Sequence, residues 1–264
     1  EPGQKHNKGP LHTKGIFEYY PDIWRHILTQ PPFLNMRLLL FFLFSALTLP
    51  IFSQNSASDS AFIRDNYTKR EVMVPMRDGV KLFTSIYTPK DNSQKHPFII
   101  RRTPYSCSPY GANNYSRGFQ NMNLARAGYI FVFQDVRGKY MSEGDFVDVR
   151  PFNPDKKSPS EIDEASDTYD TMDWLLKNEP NHNGRAGVMG ISYPGFYATM
   201  AILANHPDIK AVSPQAPVTD WFIGDDFHHN GAFMLMDAFS FYSGFGKPRL
   251  KPTTEGEDGF NDWK

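Results

Sequence analysis

From residue 68 onward, short apolar runs alternate with amphipathic stretches along the chain. Two runs with apolar residues at alternating positions, 71–76 and 80–87, flank the dipeptide Asp78-Gly79. An Asp-Gly turn between two such runs predicts a β-hairpin. Further apolar runs predict four more strands, at 97–102, 129–134, 185–191 and 209–212.

Three stretches between these strands predict helices, at 116–127, 161–178 and 194–204. In the second of them, apolar residues recur at the spacing of one helix face. Strands that alternate with helices after an initial hairpin predict a mixed, mostly parallel sheet with helices on both faces. The predicted fold class is therefore α/β, with this domain over residues 56–217.

The two ends of the chain depart from this pattern. The aromatic-rich segment 218–264 is expected to begin a helical cap domain and not to add another sheet layer. Near the other end, a basic residue, an apolar stretch and a polar exit predict a signal peptide over 36–55, and hence a secreted or periplasmic protein. The apolar stretch is shorter than the ~20 residues that span a bilayer, which argues against a stable membrane anchor. Residues 1–35 are expected to be an unstructured or artefactual leader.

Composition narrows the classes of function. The 264 residues carry 28 Lys and Arg against 29 Asp and Glu, a formal net charge of -1. This balance offers no basic excess for phosphate contacts and argues against a nucleic-acid partner. The single cysteine, Cys107, excludes an internal disulfide and a cysteine-rich zinc site. No cofactor is predicted.

The segment most informative about chemistry is GVMGISYPG, from Gly187 to Gly195. Its serine, Ser192, follows a predicted buried strand and precedes a predicted helix, with small residues nearby. This context is that of a nucleophile elbow, a sharp turn that exposes the serine hydroxyl beside the positive end of the helix. The second glycine stands one residue later than in the common G-x-S-x-G pattern. The alternative is a glycine-rich turn whose serine only caps the helix.

Four segments resemble the α/β hydrolases grouped with cocaine esterase, X-prolyl dipeptidyl peptidases and α-amino-acid ester hydrolases. They are RTPY at 102–105, DVRG at 135–138, GISYPG at 190–195 and GDDFHHNGAF at 224–233. The first and third are shared across the group, and the fourth is similar to the α-amino-acid ester hydrolases. The resemblance covers about residues 68–250 and implies an α/β-hydrolase fold that is truncated in its cap domain.

The resemblance also implies roles for individual residues. Ser192 would attack an ester or amide carbonyl and form an acyl-enzyme. The backbone N–H of Tyr193 and the phenol of Tyr105 would hold the oxyanion of the tetrahedral intermediate, although Tyr105 has the alternative of an ordinary buried loop tyrosine. Asp226 would bind the α-ammonium group of an aminoacyl substrate, because a cation in a closed pocket needs an anion. The alternative is that Asp225 and Asp226 cap a helix.

Other polar residues are expected to have structural roles and not catalytic or metal-binding ones. Adjacent residues on a helix point in different directions, so His228 and His229 do not predict a metal site. Asp135 and Arg137 are expected to form a structural ion pair. His206 is expected to interact with the C-terminal end of the helix that follows Ser192.

The triad acid and histidine follow the nucleophile in this fold. The resemblance places them beyond Lys264, so that this chain alone would be inactive. The predicted function is hydrolysis of a small-molecule acyl ester, an amide or a short peptide, with α-amino-acid esters as a narrower option. The alternatives are an X-prolyl dipeptidyl peptidase, a general carboxylesterase, a β-lactam acylase and a non-catalytic binding module. The sequence leaves a homo-oligomer open.

Overall fold

The computed structural model describes residues 57–220, 222–245 and 251–254, which belong to one compact unit, Ser56–Lys264. Its strands are β1 (Tyr67–Pro75), β2 (Lys81–Pro89), β3 (His96–Thr103), β4 (Ile130–Asp135), β5 (His182–Ile191), β6 (Ile209–Gln215), β7 (Gly224–Asp225), β8 (His228–His229) and β9 (Ala232–Phe233). Its helices are α1 (57–66), α2 (Met122–Arg126), α3 (Glu164–Asn178), α4 (Tyr193–Ala204) and α5 (Leu235–Phe245).

The predicted leader and signal peptide lie outside the described residues. Among the helices that the structure describes, none is long and apolar enough to cross a membrane.

The first six strands form one mixed sheet in the order β1-β2-β4-β3-β5-β6. The predicted hairpin is confirmed, since β1 pairs antiparallel with β2 and Gly79 takes the positive φ, +88°, of its turn. β2 pairs antiparallel with β4, and the remaining neighbours are parallel. Because β3 and β5 are neighbours and parallel, the loops that follow them lie side by side at one edge of the sheet.

Helices cover both faces of this sheet, as the sequence predicted. Side chains at neighbouring positions of a strand point to opposite faces of the sheet, so the strands contribute to one apolar cluster on each face. The cluster beneath α3 and α4 includes Ile100, Met172 and Ala198. The cluster beneath α1 and α2 includes Phe131 and Ala125. The sheet is therefore a packed centre whose strand ends can hold side chains in fixed positions.

The helix predicted over 116–127 is shorter than expected and spans only Met122–Arg126. It begins late because Asn121 caps it, with a side-chain oxygen that accepts hydrogen bonds from two backbone N–H groups of the first turn, at 3.1 and 3.3 Å. The helix ends near Gly128, as predicted, where the backbone φ is +80°.

The segment after β6 contains a small sheet that the sequence analysis did not predict. Residues 224–233 form three antiparallel strands of two residues each, followed by α5. The signal is the dipeptide Asn230-Gly231, whose φ angles of +49° and +82° are those of a two-residue type I′ hairpin turn. Asp226 lies in the turn between β7 and β8, so the alternative in which Asp225 and Asp226 cap a helix is wrong.

A network of buried charges fastens the strand ends to α3. Arg102 of β3 forms ion pairs with Glu164 and Asp167, at 3.1 and 3.5 Å. Arg137, which follows β4, pairs with Asp167 and with Asp78 of the hairpin turn, at 2.7 Å each. Burial raises the pKa of Glu164 to about 6, because a low-dielectric environment disfavours the charged carboxylate. These ion pairs fix α3 relative to the hairpin turn and to the ends of β3 and β4.

Candidate active site

Ser192 lies at a sharp turn between a strand and a helix, where the sequence placed it. β5 ends at Ile191 and α4 begins at Tyr193. Between them Ser192 has φ +62° and ψ −125°, a conformation that costs a non-glycine residue energy and persists only where the surroundings impose it. Its side chain is exposed and makes no capping hydrogen bond to α4. The alternative of a serine that only caps the helix is therefore wrong.

The two glycines of the turn are required by close backbone approach. A Cβ atom on Gly190 would lie 2.0 Å from the carbonyl oxygen of Pro194. A Cβ atom on Gly195 would lie 2.7 Å from the carbonyl oxygen of Gln215, at the end of β6. In this turn the close contact with the neighbouring strand thus falls at the third residue after the serine, which explains the shifted glycine of the motif.

Tyr193 anchors the turn through its side chain, which is buried. Its phenol donates a hydrogen bond to Asp148 Oδ1 at 2.7 Å and accepts one from the backbone N–H of Val149 at 2.7 Å. Burial and the nearby Asp148 raise the pKa of Tyr193, so the phenol stays protonated and remains a donor. The backbone N–H of Tyr193 belongs to the first turn of α4, where N–H groups have no acceptor within the helix.

Tyr105 lies beside this turn on the loop that follows β3. Its ring packs edge-on against the ring of Tyr193, with 6.2 Å between centroids. The side chain is 43% exposed, so the alternative of a tyrosine with a buried ring is wrong. Partial burial, followed by the negative charges of Asp226 and Asp148, raises the pKa of Tyr105, which favours the protonated phenol that an oxyanion donor requires.

The loop that carries Tyr105 is held in place by Asp135, at the end of β4. Asp135 accepts hydrogen bonds from the phenol of Tyr110 and from the backbone N–H of Cys107, both at 2.8 Å. Burial raises the pKa of Asp135. The prediction of an ion pair between Asp135 and Arg137 is wrong, because Arg137 instead forms ion pairs with acidic residues of α3 and of the hairpin turn.

Asp226 is exposed in the turn between β7 and β8. Its charge contributes to the raised pKa of the Tyr105 phenol. The next residue, Phe227, packs its ring against that of Tyr242 on α5, with 5.2 Å between centroids. The structure therefore brings Ser192, Tyr193 and Tyr105 to one edge of the main sheet, where they supply a hydroxyl, a helix N-terminus and a phenol. Asp226 lies on the small sheet whose Phe227 contacts α5.

The described histidines do not complete this group. His206 lies beyond the far end of α4, where its Nε2 is 3.2 Å from Asp173 Oδ1. At a rise of 1.5 Å per residue, that end is roughly 20 Å from Ser192. His228 contacts the rings of Phe222 and Phe233. In the part of the chain that the structure describes, Ser192 makes no side-chain hydrogen bond to a histidine, and no cluster of three or more His, Cys, Asp or Glu side chains could hold a metal.

Sequence reasoning missed Asp148 and its partner on α5. The second oxygen of Asp148 accepts a hydrogen bond from the phenol of Tyr242 at 2.7 Å. The same helix places Phe245 against Tyr105 and Tyr193, with ring centroids 5.6 and 5.4 Å apart. Nothing in the local pattern around Asp148 distinguishes it from Asp145 on the same loop.

The sheet order and the strained serine turn define an α/β-hydrolase fold. The chain belongs to the X-Pro dipeptidyl-peptidase (S15) family, whose model matches residues 78–264. It is 32% identical to cocaine esterase of Rhodococcus sp. (strain MB1 Bresler) over 165 residues, which cover 62% of this chain and 26% of that protein.

Two solved structures are similar. An aminopeptidase from a marine sediment Thaumarchaeota archaeon has 39% identity and a TM-score of 0.63, with 73% of this chain and 32% of that chain covered. An α-amino-acid ester hydrolase has 42% identity and a TM-score of 0.61, with 73% of this chain and 31% of that chain covered. The chain thus spans about a quarter of the curated relative and about a third of each structure.

Proposed function

We propose that this protein hydrolyses acyl esters or amides through an acyl-enzyme formed on Ser192. The observation that carries the proposal is the conformation of Ser192, whose hydroxyl is exposed at a strained turn and is not used to cap the helix. A backbone held in a sparsely populated conformation at a strand end is typical of a nucleophile elbow. Membership of a family of serine-type hydrolases supports the same reaction class.

Two donors would stabilise the tetrahedral intermediate. The backbone N–H of Tyr193 lies at the start of α4, and the phenol of Tyr105 lies on the adjacent loop with its ring against Tyr193. Donors of this kind act on the negative charge that develops only in the transition state, and each is worth roughly 10²- to 10³-fold in kcat. The serine also needs a histidine base, and we expect that base outside the described residues.

For the acyl group we propose an α-amino acid with a free ammonium. The negative charge of Asp226 acts on the phenol of Tyr105 and contributes to its raised pKa, and an ammonium group would offset that charge. The names of the two similar structures, an aminopeptidase and an α-amino-acid ester hydrolase, denote enzymes that act on such acyl groups. An X-prolyl dipeptidyl peptidase and a general carboxylesterase stay as alternatives, because the family is that of the X-Pro dipeptidyl peptidases and the relative from Rhodococcus is an esterase. Secretion to the periplasm or medium remains a prediction from the sequence.

The test is active-site labelling and turnover of the complete gene product. A fluorophosphonate probe should label the wild type, which should also hydrolyse a p-nitrophenyl ester. Ser192→Ala should lose labelling and at least about 10⁴-fold in turnover while keeping the wild-type unfolding midpoint. Ser160→Ala, which changes an exposed serine, is the matched control and should behave as wild type. A folded wild type that neither labels nor turns over substrate would leave only the non-catalytic binding module.

A further inference from the structure

Asp148 joins two elements that meet at the site. Its carboxylate accepts one hydrogen bond from Tyr193, the residue after the nucleophile, and one from Tyr242 of α5, both at 2.7 Å. Hydrogen bonds to an ionised acceptor are roughly twice as strong as those between neutral groups. The carboxylate therefore connects the elbow to α5 by two strong hydrogen bonds, one to each of its oxygens.

The backbone next to Asp148 is shaped to complete this connection. Val149 has φ +36°, which is a genuine outlier for a β-branched residue. In that conformation its N–H donates to the phenol oxygen of Tyr193 at 2.7 Å. The phenol is thus held from two sides, by an acceptor and by a donor of consecutive residues, and its ring has little freedom to rotate.

The helix at the other end of this connection forms a wall of the site. α5 carries Tyr242 and Phe245, and Phe245 packs on both Tyr105 and Tyr193. Other side chains of α5 are solvent-exposed, with Leu235 at 62% and Met236 at 74%. The inner face of α5 packs into an apolar cluster with Tyr193 and Phe196. Apolar packing is non-directional, so the hydrogen bond from Tyr242 to Asp148 adds a directional constraint on how α5 lies over the elbow.

We propose that Asp148 is a positioning residue of the active site, which fixes the oxyanion-binding tyrosine pair and the α5 wall by tying Tyr193 to Tyr242. This rests on the proposed hydrolase function. The N–H of Tyr193 and the phenol of Tyr105 act on charge that appears only in the transition state. Loss of the tie therefore lowers kcat and leaves KM for a small neutral ester nearly unchanged.

The experiment measures kcat and KM of the complete gene product with a neutral p-nitrophenyl ester, well below the unfolding temperature. Asp148→Ala should lower kcat about 10- to 30-fold with KM within about twofold. Asp148→Asn keeps an acceptor oxygen and a donor of similar shape, and should recover kcat to within about threefold of wild type. Tyr242→Phe should lower kcat about threefold, and should cost nothing further in the Asp148→Ala background, because the bond it removes is already gone.

Asp145→Ala is the matched control, since Asp145 is an exposed acid on the same loop, and it should leave kcat unchanged. Asp148→Ala with wild-type kcat, in an enzyme that Ser192→Ala inactivates, would overturn the positioning role and leave the proposed function intact. An independent loss from Tyr242→Phe in the Asp148→Ala background would also overturn it. If the wild type hydrolyses nothing, the proposed function fails. If, in addition, the unfolding midpoints of Asp148→Ala and Tyr242→Phe are non-additive, the bond between the two residues stabilises the fold and has no role in catalysis.

Discussion

The serine turn and the segment that lies over it are held by different kinds of contact. At the turn, backbone meets backbone, with Gly190 against Pro194 and Gly195 against the end of β6. Across 222–245 the strands have two residues each, and large apolar side chains such as Met236 are exposed. Side chains make the connection there, including the Tyr242–Asp148 bond and the ammonium of Lys139, which lies 4.0 Å from the ring centroid of Phe245.

Backbone contacts at the serine turn and side-chain contacts across 222–245 suit different roles in the molecule. Backbone contacts leave no rotamers to change, so Ser192 and the N-terminus of α4 keep one geometry. Side-chain contacts can be exchanged without disturbing the sheet, and they border the place where an acyl group would lie. We therefore expect changes at the turn to lower catalysis of every substrate strongly. Changes in 222–245 should have smaller effects, some of them on the choice among substrates.

The largest effect is expected from Gly190→Ala. The added methyl group would lie 2.0 Å from a backbone oxygen, so the start of α4 must shift by more than an ångström. Both Ser192 and the Tyr193 N–H would be displaced, and kcat should fall about 10³-fold, with stability lower by about 1–3 kcal/mol. Gly224→Ala is the control in the second region, because a Cβ atom there meets nothing within 4 Å. Equal losses from the two variants, measured by ester turnover and urea unfolding, would remove the contrast between the regions.

The next effect is that of Tyr105→Phe, which deletes one proposed oxyanion donor and keeps the ring contacts. We expect kcat to fall about 10²- to 10³-fold for neutral and aminoacyl esters alike. Tyr110→Phe on the same loop instead removes a partly buried hydrogen bond to Asp135. It should lower stability by about 1–3 kcal/mol and lower kcat far less than Tyr105→Phe does. A Tyr105→Phe enzyme with unchanged kcat would show that the phenol is not a donor.

A smaller and more selective effect is expected from Asp226→Asn. Loss of the Asp226 charge should reduce the preference for phenylglycine methyl ester over the matched ester without the amine by about 30-fold. This value is the low end of the range for a charged pair, because Asp226 is exposed. Hydrolysis of the neutral ester should change by less than about threefold. Equal kcat/KM for the two esters in the wild type would contradict the aminoacyl assignment and favour a general esterase.

The smallest effect concerns the charge network behind the strand ends. The pKa of Glu164 is about 6 in the folded protein, above its ordinary value of 4.5, so the folded state binds the proton more tightly than the unfolded state. This contribution to stability is present below pH 4.5 and is lost as the pH rises through 6. The free energy of unfolding of Glu164→Gln, minus that of the wild type, should therefore rise by about 1–2 kcal/mol between pH 4.5 and 7.5, as measured by urea unfolding. Asp155→Asn, at an exposed acid, should show a pH-independent difference, and the same flat result for Glu164→Gln would refute the shift.

The parts of the molecule that follow from local pattern could be predicted from the sequence. The β1–β2 hairpin follows from Asp78-Gly79, and the position of Ser192 follows from a buried strand, small residues and a helix in that order. The type I′ turn at Asn230-Gly231 carried an equally local signal, but the aromatic content of the segment outweighed it. The late start of α2 at Asn121 depends on a cap that competed with helical spacing over 116–127.

Contacts between distant residues could not be predicted in the same way. Asp148 lies 45 residues before Tyr193 and 94 before Tyr242, and only the folded sheet brings the three together. The partners of Arg137 were missed for the same reason, because α3 and the hairpin turn approach it from different parts of the chain.

The close approach of Gly195 to β6 has a consequence for how proteins with this turn are found in genomes. Since the contact falls at the third residue after the serine, a Cβ atom is excluded at position 195, whereas position 194 holds a proline. A search that demands glycine at the second residue passes over this chain and over every protein with the same displaced contact. A pattern that allows the glycine at either position, and requires a strand before the serine, would recover them.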